Sequence, residues 1–589
     1  MKKRLSTIIT LLFSVLTLGT GVVPAFAADH AGIQPETGNL TIHKHWASDA
    51  SQIGSEGDGT AQANIANLPV SGVKFDVYLL TPQNESPATP PSVKDGWTYS
   101  RTGTELSITN GETTHKYNLT AKSSTTPAGT NISGVDGIIK FVGLDKGFYY
   151  VEENLSGSDP KVNNEAVTIT VPADPFIISV PMTKPDGTGW NTDVHVYPKN
   201  QGTTPEKLVG DEGADEITEG QTGNTVNVGS LFPFMIRTNI PSDIGATLTD
   251  DPTTKKYSKF EIWDTFDTAL DYNNDAKVYV YKKVSDTGVW SKQEITPNDS
   301  TLYTIGYAED TRTLTVRFTK DGLTKLADLI ADGWSHVGIE FKAKANELIY
   351  EKTDLTVENK ATITFENTGG SGTDVNTPTP PTKTTTGEIN IDKEDTEGND
   401  LGGGDDETPA EFQVAKNKTE AAAGNFMKVV VSGTGADAKI VKVVPHDYTA
   451  ASGETLVDWI VRPNAKKADL GLSEGKFYAP SFKGVQSHTG ETLITGSETR
   501  TPLSYWLVET KAPTRVVNGE IIKFNLLGAP VQVTFPAEGD TIHYVSETIK
   551  NSTGFKLPST GSMGAILLTV AGIALFGFAY LMNRKKHQE

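Results

Sequence analysis

Short runs of alternating apolar and polar residues dominate this chain. In LTIHKH, starting at Leu40, residues two apart share a strand face, so Leu40, Ile42 and Lys44 point one way and Thr41, His43 and His45 the other. VSGVKFDVYLL (70–80) and GIIKFVGLDKGFYYVEE (137–153) continue this pattern, rich in Val, Ile, Tyr and Phe and bounded by Gly, Asn, Asp and Pro turns. It predicts an all-β chain of immunoglobulin-like sandwiches in series. One stretch departs from it: in LTKLADLIADGW (323–334), Leu323, Leu326, Leu329 and Ile330 have helical spacing and predict a short amphipathic helix.

Two apolar runs fit neither period. The first, Leu5 to Val23, follows Lys2, Lys3 and Arg4 and precedes Ala25-Phe26-Ala27, so residues 1–27 read as a secretory signal peptide. The second runs from Ala565 to Met582. Its uncharged residues would span about 27 Å as a helix, close to the ~30 Å hydrocarbon core of a bilayer. Arg584, Lys585 and Lys586 beyond it are expected to stay on the cytoplasmic side, leaving the bulk of the chain outside. Just before this span stands the pentapeptide Leu557-Pro558-Ser559-Thr560-Gly561.

Between the two ends the punctuation suggests three domains of similar length, at 28–200, 201–368 and 388–556, followed by the terminal segment 557–589. Residues 369–387 are dominated by Gly, Thr and Pro and are expected to form a semi-rigid linker.

Charge and cysteine content narrow the function. A net charge of −21 argues against nucleic acid or anionic lipid as the main partner. A secreted chain without cysteine has no disulfides to reinforce it, so any covalent reinforcement must come from elsewhere. There is no HExxH, GxSxG or P-loop. His43 and His45 lack a third ligand, and the acidic loop 395–407 lacks EF-hand spacing, so no metal and no cofactor are expected.

The alternation also places the wrong residues inside. Lys44 shares its face with Leu40 and Ile42, and Lys393 with Ile389 and Ile391. An unpaired buried ammonium is too costly to stand alone, so each requires a partner. Asn200 shares parity with Val194 and Val196, Asn359 with Val357, Ala361 and Ile363, and Asn551 with Ile549. Acids do the same: Glu153 follows Tyr149 and Val151, Asp264 sits between Ile262 and Phe266, and Glu509 lies on the face of Tyr505 and Leu507.

YWLVETKAP (505–513) resembles the E-box of Gram-positive pilins, and GVKFDVYLL with GFYYVEE resembles their Cna B-type domains. In that family a buried Lys and Asn join as an intramolecular isopeptide bond, assisted by a nearby acid. Desolvation favours both the neutral, nucleophilic amine and the protonated carboxyl that polarises the Asn carbonyl. The resemblance implies Lys393 with Asn551 under Glu509. It also implies Lys44 with Asn200 under Glu153, where EENLS departs from the E-box ending. In the middle domain FEIWDTFD and VENKATITF resemble the family's alternative arrangement, implying Asp264 and Asn359; Lys207, in parity with Val209, is the assigned nucleophile.

WNTDVHVYPKN (190–200) resembles the pilin motif of sortase-assembled pili, and LPSTG with its span and basic tail resembles the cell-wall sorting signal. Together they imply a backbone pilin: a pilin-class sortase cleaves between Thr560 and Gly561 and joins Thr560 to Lys199 of an identical subunit. The implied partners are also a housekeeping sortase, minor tip and base pilins, and peptidoglycan, with transient membrane anchoring, no nucleic acid and no turnover enzymology. A monomeric wall-anchored adhesin shares the leader, sandwiches and sorting signal but does not need Lys199.

Overall fold

The computed structural model describes residues 32–554, apart from 48–51, 53–56, 64, 249–252, 285–288, 298, 367–373, 495–496 and 539–541. The expected signal peptide, the LPSTG pentapeptide and the expected membrane span lie outside these residues. Among the described residues no helix is long and apolar enough to cross a membrane.

The chain divides into two compact units, the first built from residues up to 45, 55–166 and 173–199, the second from 46–54, 167–172 and 200 onward. In the first unit, strand Thr37–His43 lies between Asp193–Val196, which runs parallel to it, and the antiparallel Ile138–Asp145. The segments that open and close the unit are therefore neighbours. A six-stranded antiparallel sheet follows the order 176–180, 147–153, 75–82, 114–122, 105–109, 98–102. Leu40, Ile42, Phe75, Val77, Phe141 and Val194 are buried, as period-2 alternation requires.

Among the described residues the second unit contains two large hydrophobic cores and a small third cluster of Leu208, Met235 and Tyr281. One sheet of its middle region orders 206–209, 231–239, 336–345, 277–283 and 290–294, and the other 303–308, 313–318, 259–265, 361–366 and 375–378. Phe234, Ile236, Phe260, Ile262, Ile339 and Phe365 join one cluster. The expected helix is present as Lys320–Ala331; Thr319 caps it by accepting a hydrogen bond from Gly322 N at 3.1 Å, and Leu323, Leu326 and Leu329 bury its apolar face. In the C-terminal region, strand Gly387–Asp395 pairs in parallel with Tyr544–Asn551 and antiparallel with Phe482–Val485. A second sheet carries Glu411–Ala415 and Ser504–Lys511, and Trp459, Phe412, Leu507 and Ile389 belong to the shared core.

The described part of the segment expected to be a linker, 374–387, is mostly strand. Val375–Pro378 pairs with Ala361–Glu366, and Thr382–Thr385 lies between Gly223–Thr225 and Thr356–Asn359. Thr379, Thr382, Thr384, Thr385 and Thr386 are buried. Composition misleads here because threonine is β-branched and fits a pleated surface, and its hydroxyl can be satisfied by neighbouring backbone, as Thr382 Oγ1 is by Asn359 O at 3.3 Å. A short helix, Lys418–Ala423, capped by Asn417 and closed by Gly424 at φ 73°, was not expected from the sequence pattern.

Candidate functional site: three buried lysines and Lys199

Lys393 sits on the inward face of Gly387–Asp395, directly paired with Ile549; two residues further on, Asn551 points to the same face. Lys393 Nζ donates to Asn551 Oδ1 at 2.6 Å and to Ile549 O at 2.9 Å. Asn551 Nδ2 donates to both oxygens of Glu509, each at 2.9 Å, and to Asn525 O at 2.8 Å. Glu509 also accepts from Leu527 N at 2.9 Å, while its nearest approach to the ammonium is 3.9 Å. All three side chains are buried. Burial lowers Lys393 to about 8, opposed by the charge of Glu509, and raises Glu509 above the usual carboxylate range. At pH 7 such an amine is about one-tenth neutral, against less than roughly a thousandth for an ordinary lysine. The amine thus contacts the carboxamide oxygen of Asn551 while the acid contacts its nitrogen.

In the middle region Lys207, Asp264 and Asn359 also lie in the core. Here Lys207 Nζ donates directly to Asp264 Oδ2, and Asn359 Nδ2 reaches the same oxygen at 3.3 Å. The lysine lies over Phe234 and Phe341, 5.0 and 6.0 Å from the ring centroids. Asp264 Oδ1 and Asn359 Oδ1 have no hydrogen-bond partner among the described residues. Burial lowers Lys207 and raises Asp264, both towards a neutral pair.

In the first unit Lys44 is fully buried and donates to Glu153 Oε2 at 2.9 Å; that oxygen also accepts from Ala173 N at 3.1 Å. Lys44 lies 5.4 Å from the Phe75 centroid, and burial lowers it to about 8. Asn200, its expected partner, is fully buried at the first residue of the second unit's long C-terminal stretch.

Next to Asn200, Lys199 is half-buried, and desolvation lowers its pKa. The face expected to carry His195, Tyr197 and Lys199 outward is only partly open. Tyr197 stacks on His43 at 4.6 Å between centroids, and His43 Nε2 and His195 Nδ1 share a hydrogen bond at 2.8 Å. Alternation along 194–200 places His195 on the outward face, but not its meeting with His43, which lies 152 residues away in sequence. Burial, then the neighbouring His195, lowers His43 to about 4, so the His43 ring is neutral at neutral pH. Among the described residues no group of three or more His, Cys, Asp or Glu could hold a metal ion.

Residues 35–201 match the family described as Gram-positive pilin subunit D1, N-terminal domain, and residues 549–589 match the LPXTG cell wall anchor motif. The chain carries a Gram-positive pilin domain and a cell-wall anchor. The anchor assigns it to the Gram-positive cell surface. The pilin domain holds Lys44, Glu153, Lys199 and Asn200, and ends two residues after Lys199. The chain is 28% identical to fimbrial subunit type 2 of Actinomyces naeslundii over 597 residues, covering 96% of this chain and 93% of that one. It is 26% identical to fimbrial subunit type 1 of Actinomyces viscosus, covering 99% and 97%. Among solved structures, the full-length major pilin SpaD of Corynebacterium diphtheriae is similar, with 20% identity, a TM-score of 0.44 and coverage of 88% of this chain and 98% of that one.

Proposed function

We propose that this chain is the shaft subunit of a covalent pilus. A pilin-class sortase cleaves the Thr560–Gly561 bond and transfers the Thr560 carbonyl to Nζ of Lys199 in the next copy. A housekeeping sortase then passes the finished polymer to peptidoglycan, and minor pilins occupy tip and base. The observation that carries this reading is the pairing of a pilin domain ending just past Lys199 with an LPXTG anchor on one chain. Half-burial supports the lysine's role, because a partly desolvated amine is easier to deprotonate than a fully solvated one.

In the same reading, each buried lysine closes its domain once. Nζ of Lys393 attacks Cγ of Asn551, the Nζ–Cγ bond forms, the Cγ–Nδ2 bond breaks, and ammonia leaves with a proton carried from the amine by Glu509. Lys207 and Asn359 react likewise through Asp264, and Lys44 and Asn200 through Glu153. No substrate turns over, so these acids do not make the chain an enzyme. In the C-terminal region the crosslink would tie strands that already run side by side, so a pull on the ends would meet a covalent bond before it could peel the sheet.

The test is a blot of wall extracts from cells carrying the wild-type chain or Lys199→Ala. A high-mass ladder that collapses to a single anchored band in the variant is expected. A persistent ladder would remove Lys199 from the linkage, and a single band in the wild type would favour a monomeric adhesin.

A further inference from the structure

The strand register of the first unit decides which residue stands beside Lys199. Strand Thr37–His43 runs parallel to Asp193–Val196, with Asn39 opposite Asp193 and Ile42 opposite Val196. Continued at the same offset, His43 falls opposite Tyr197 and His45 opposite Lys199. Two contacts agree with this continuation. The His43 and Tyr197 rings stack with centroids 4.6 Å apart. His45 N donates to Pro198 O at 3.1 Å, just as Asn39 N, one residue short of its own partner, donates to Thr192 O at 2.7 Å. His45 and Lys199 are therefore cross-strand neighbours on one face, at the roughly 5 Å spacing of adjacent strands.

The row they belong to is held at several points. Tyr197 Oη accepts from Gln62 N at 2.7 Å, and His195, bonded to His43, lies 3.3 Å from Asp193. The His45 ring is fixed by its own contact: Nδ1 lies 3.0 Å from Asn67 O, and a carbonyl only accepts, so Nδ1 carries the hydrogen. In the neutral ring the lone pair is then on Nε2.

Burial lowers the pKa of His45; the carbonyls of Asn67 and Leu68 oppose this shift, and the charges of Lys199 and Lys44 reinforce it. The loop 67–69 that packs on the ring carries no titratable side chain, and His43 on the same strand is neutral. The ring is thus neutral at neutral pH and able to take up a proton.

Resting on the Thr560–Lys199 linkage, the structure assigns His45 as the residue that positions Lys199 and accepts its proton during transfer. Neutral Nζ of Lys199 attacks the Thr560 carbonyl of the acyl-enzyme. The Nζ–C bond forms, and the bond to the sortase breaks with its electron pair staying on the enzyme group. To become an amide nitrogen Nζ sheds one proton, which His45 Nε2 takes and returns to the departing enzyme group. The half-buried lysine brings its own proton acceptor to the sortase.

The test uses the full chain as acceptor, a purified pilin-class sortase and a labelled LPSTG peptide in excess as donor, with peptide mapping to place the label. His45→Asn keeps a donor near the position of Nδ1 and removes the basic nitrogen. Maximal transfer to Lys199 is expected to fall about a hundredfold. The half-saturating concentration of the chain and cleavage of its own LPSTG are expected to stay parental. The gap between parent and variant should be full at pH 7 to 8 and close as pH falls, because a protonated ring accepts nothing. In His45→Ala, added imidazole is expected to restore part of the rate.

A parental rate in His45→Asn would overturn the assignment. So would a loss that is equal at every pH and that imidazole does not relieve, which is what a merely structural role gives. Label on a different lysine of the parental chain would sink the linkage reading itself, whereas label on Lys199 at a rate indifferent to His45 would sink this assignment alone.

Discussion

In the C-terminal region Lys393 donates to the amide of Asn551, and that amide donates to Glu509, so the order is amine, amide, acid. In the middle region Lys207 donates to Asp264, and Asn359 reaches the same carboxylate oxygen from the other side, so the order is amine, acid, amide. The residue types are nearly the same, but in the proposed crosslinking the proton would move at different stages. Lys393 already touches Asn551 and would have to shed a proton. Lys207 must first hand its proton to Asp264, which cancels both buried charges and gives the carboxyl a donor. That donor would have a use, since Asp264 Oδ1 and Asn359 Oδ1 both lack partners among the described residues and an unsatisfied buried oxygen costs about 1 to 3 kcal/mol.

The largest predicted difference comes from deleting the lysines. Relative to the folded chain before any crosslink has formed, Lys207→Ala leaves Asp264 buried without its cation and should destabilise the middle region by about 3 to 5 kcal/mol. Relative to the same uncrosslinked chain, Lys393→Ala should cost clearly less, because Glu509 keeps its bonds from Asn551 and Leu527. Denaturant unfolding of both variants measures this, and equal losses would erase the distinction.

Next in size, Glu509→Ala should leave the C-terminal region uncrosslinked while the other two mature. By the chain-entropy model a crosslink over 158 residues of sequence separation is worth about 5 kcal/mol. Mass spectrometry of proteolytic fragments and the melting temperature report the two consequences separately.

The pH dependence should be smaller and directional. With Lys393 lowered to about 8, its neutral fraction rises about tenfold per pH unit below that value. Crosslinking of freshly refolded protein in the C-terminal region should therefore accelerate from pH 6 towards 8. In the middle region the proton passes within the pair, so its rate should change less over the same range. Stopped time courses read by mass at several pH values test this, and parallel slopes would contradict it.

The smallest effect is expected from Thr382→Ala, which removes the hydroxyl bonded to Asn359 O. A loss of about 1 kcal/mol is predicted, with slower but complete crosslinking in the middle region.

Period-2 alternation made the burial of Lys44, Lys207, Lys393, Asp264, Glu509 and the three asparagines legible before any coordinates, because each shares a strand face with at least one hydrophobe. The helix at 320–331 was legible for the same kind of reason at a different period. What pattern could not reveal was pairing across sequence. The threonine-rich stretch after residue 374 reads as linker until its partner strands at 223–225, 356–359 and 361–366 are in place. His195 meeting His43 and the hydrogen-bond order inside each triplet are three-dimensional facts of the same kind.

The most direct test of the account is the intact mass of the soluble body, residues 28–556, produced without any sortase. The prediction is a chain lighter than its sequence by three ammonia molecules, with peptide mapping placing the links at Lys44–Asn200, Lys207–Asn359 and Lys393–Asn551. A mass equal to that of the unmodified sequence would contradict it, leaving the three buried lysines as ion pairs and hydrogen-bond donors alone.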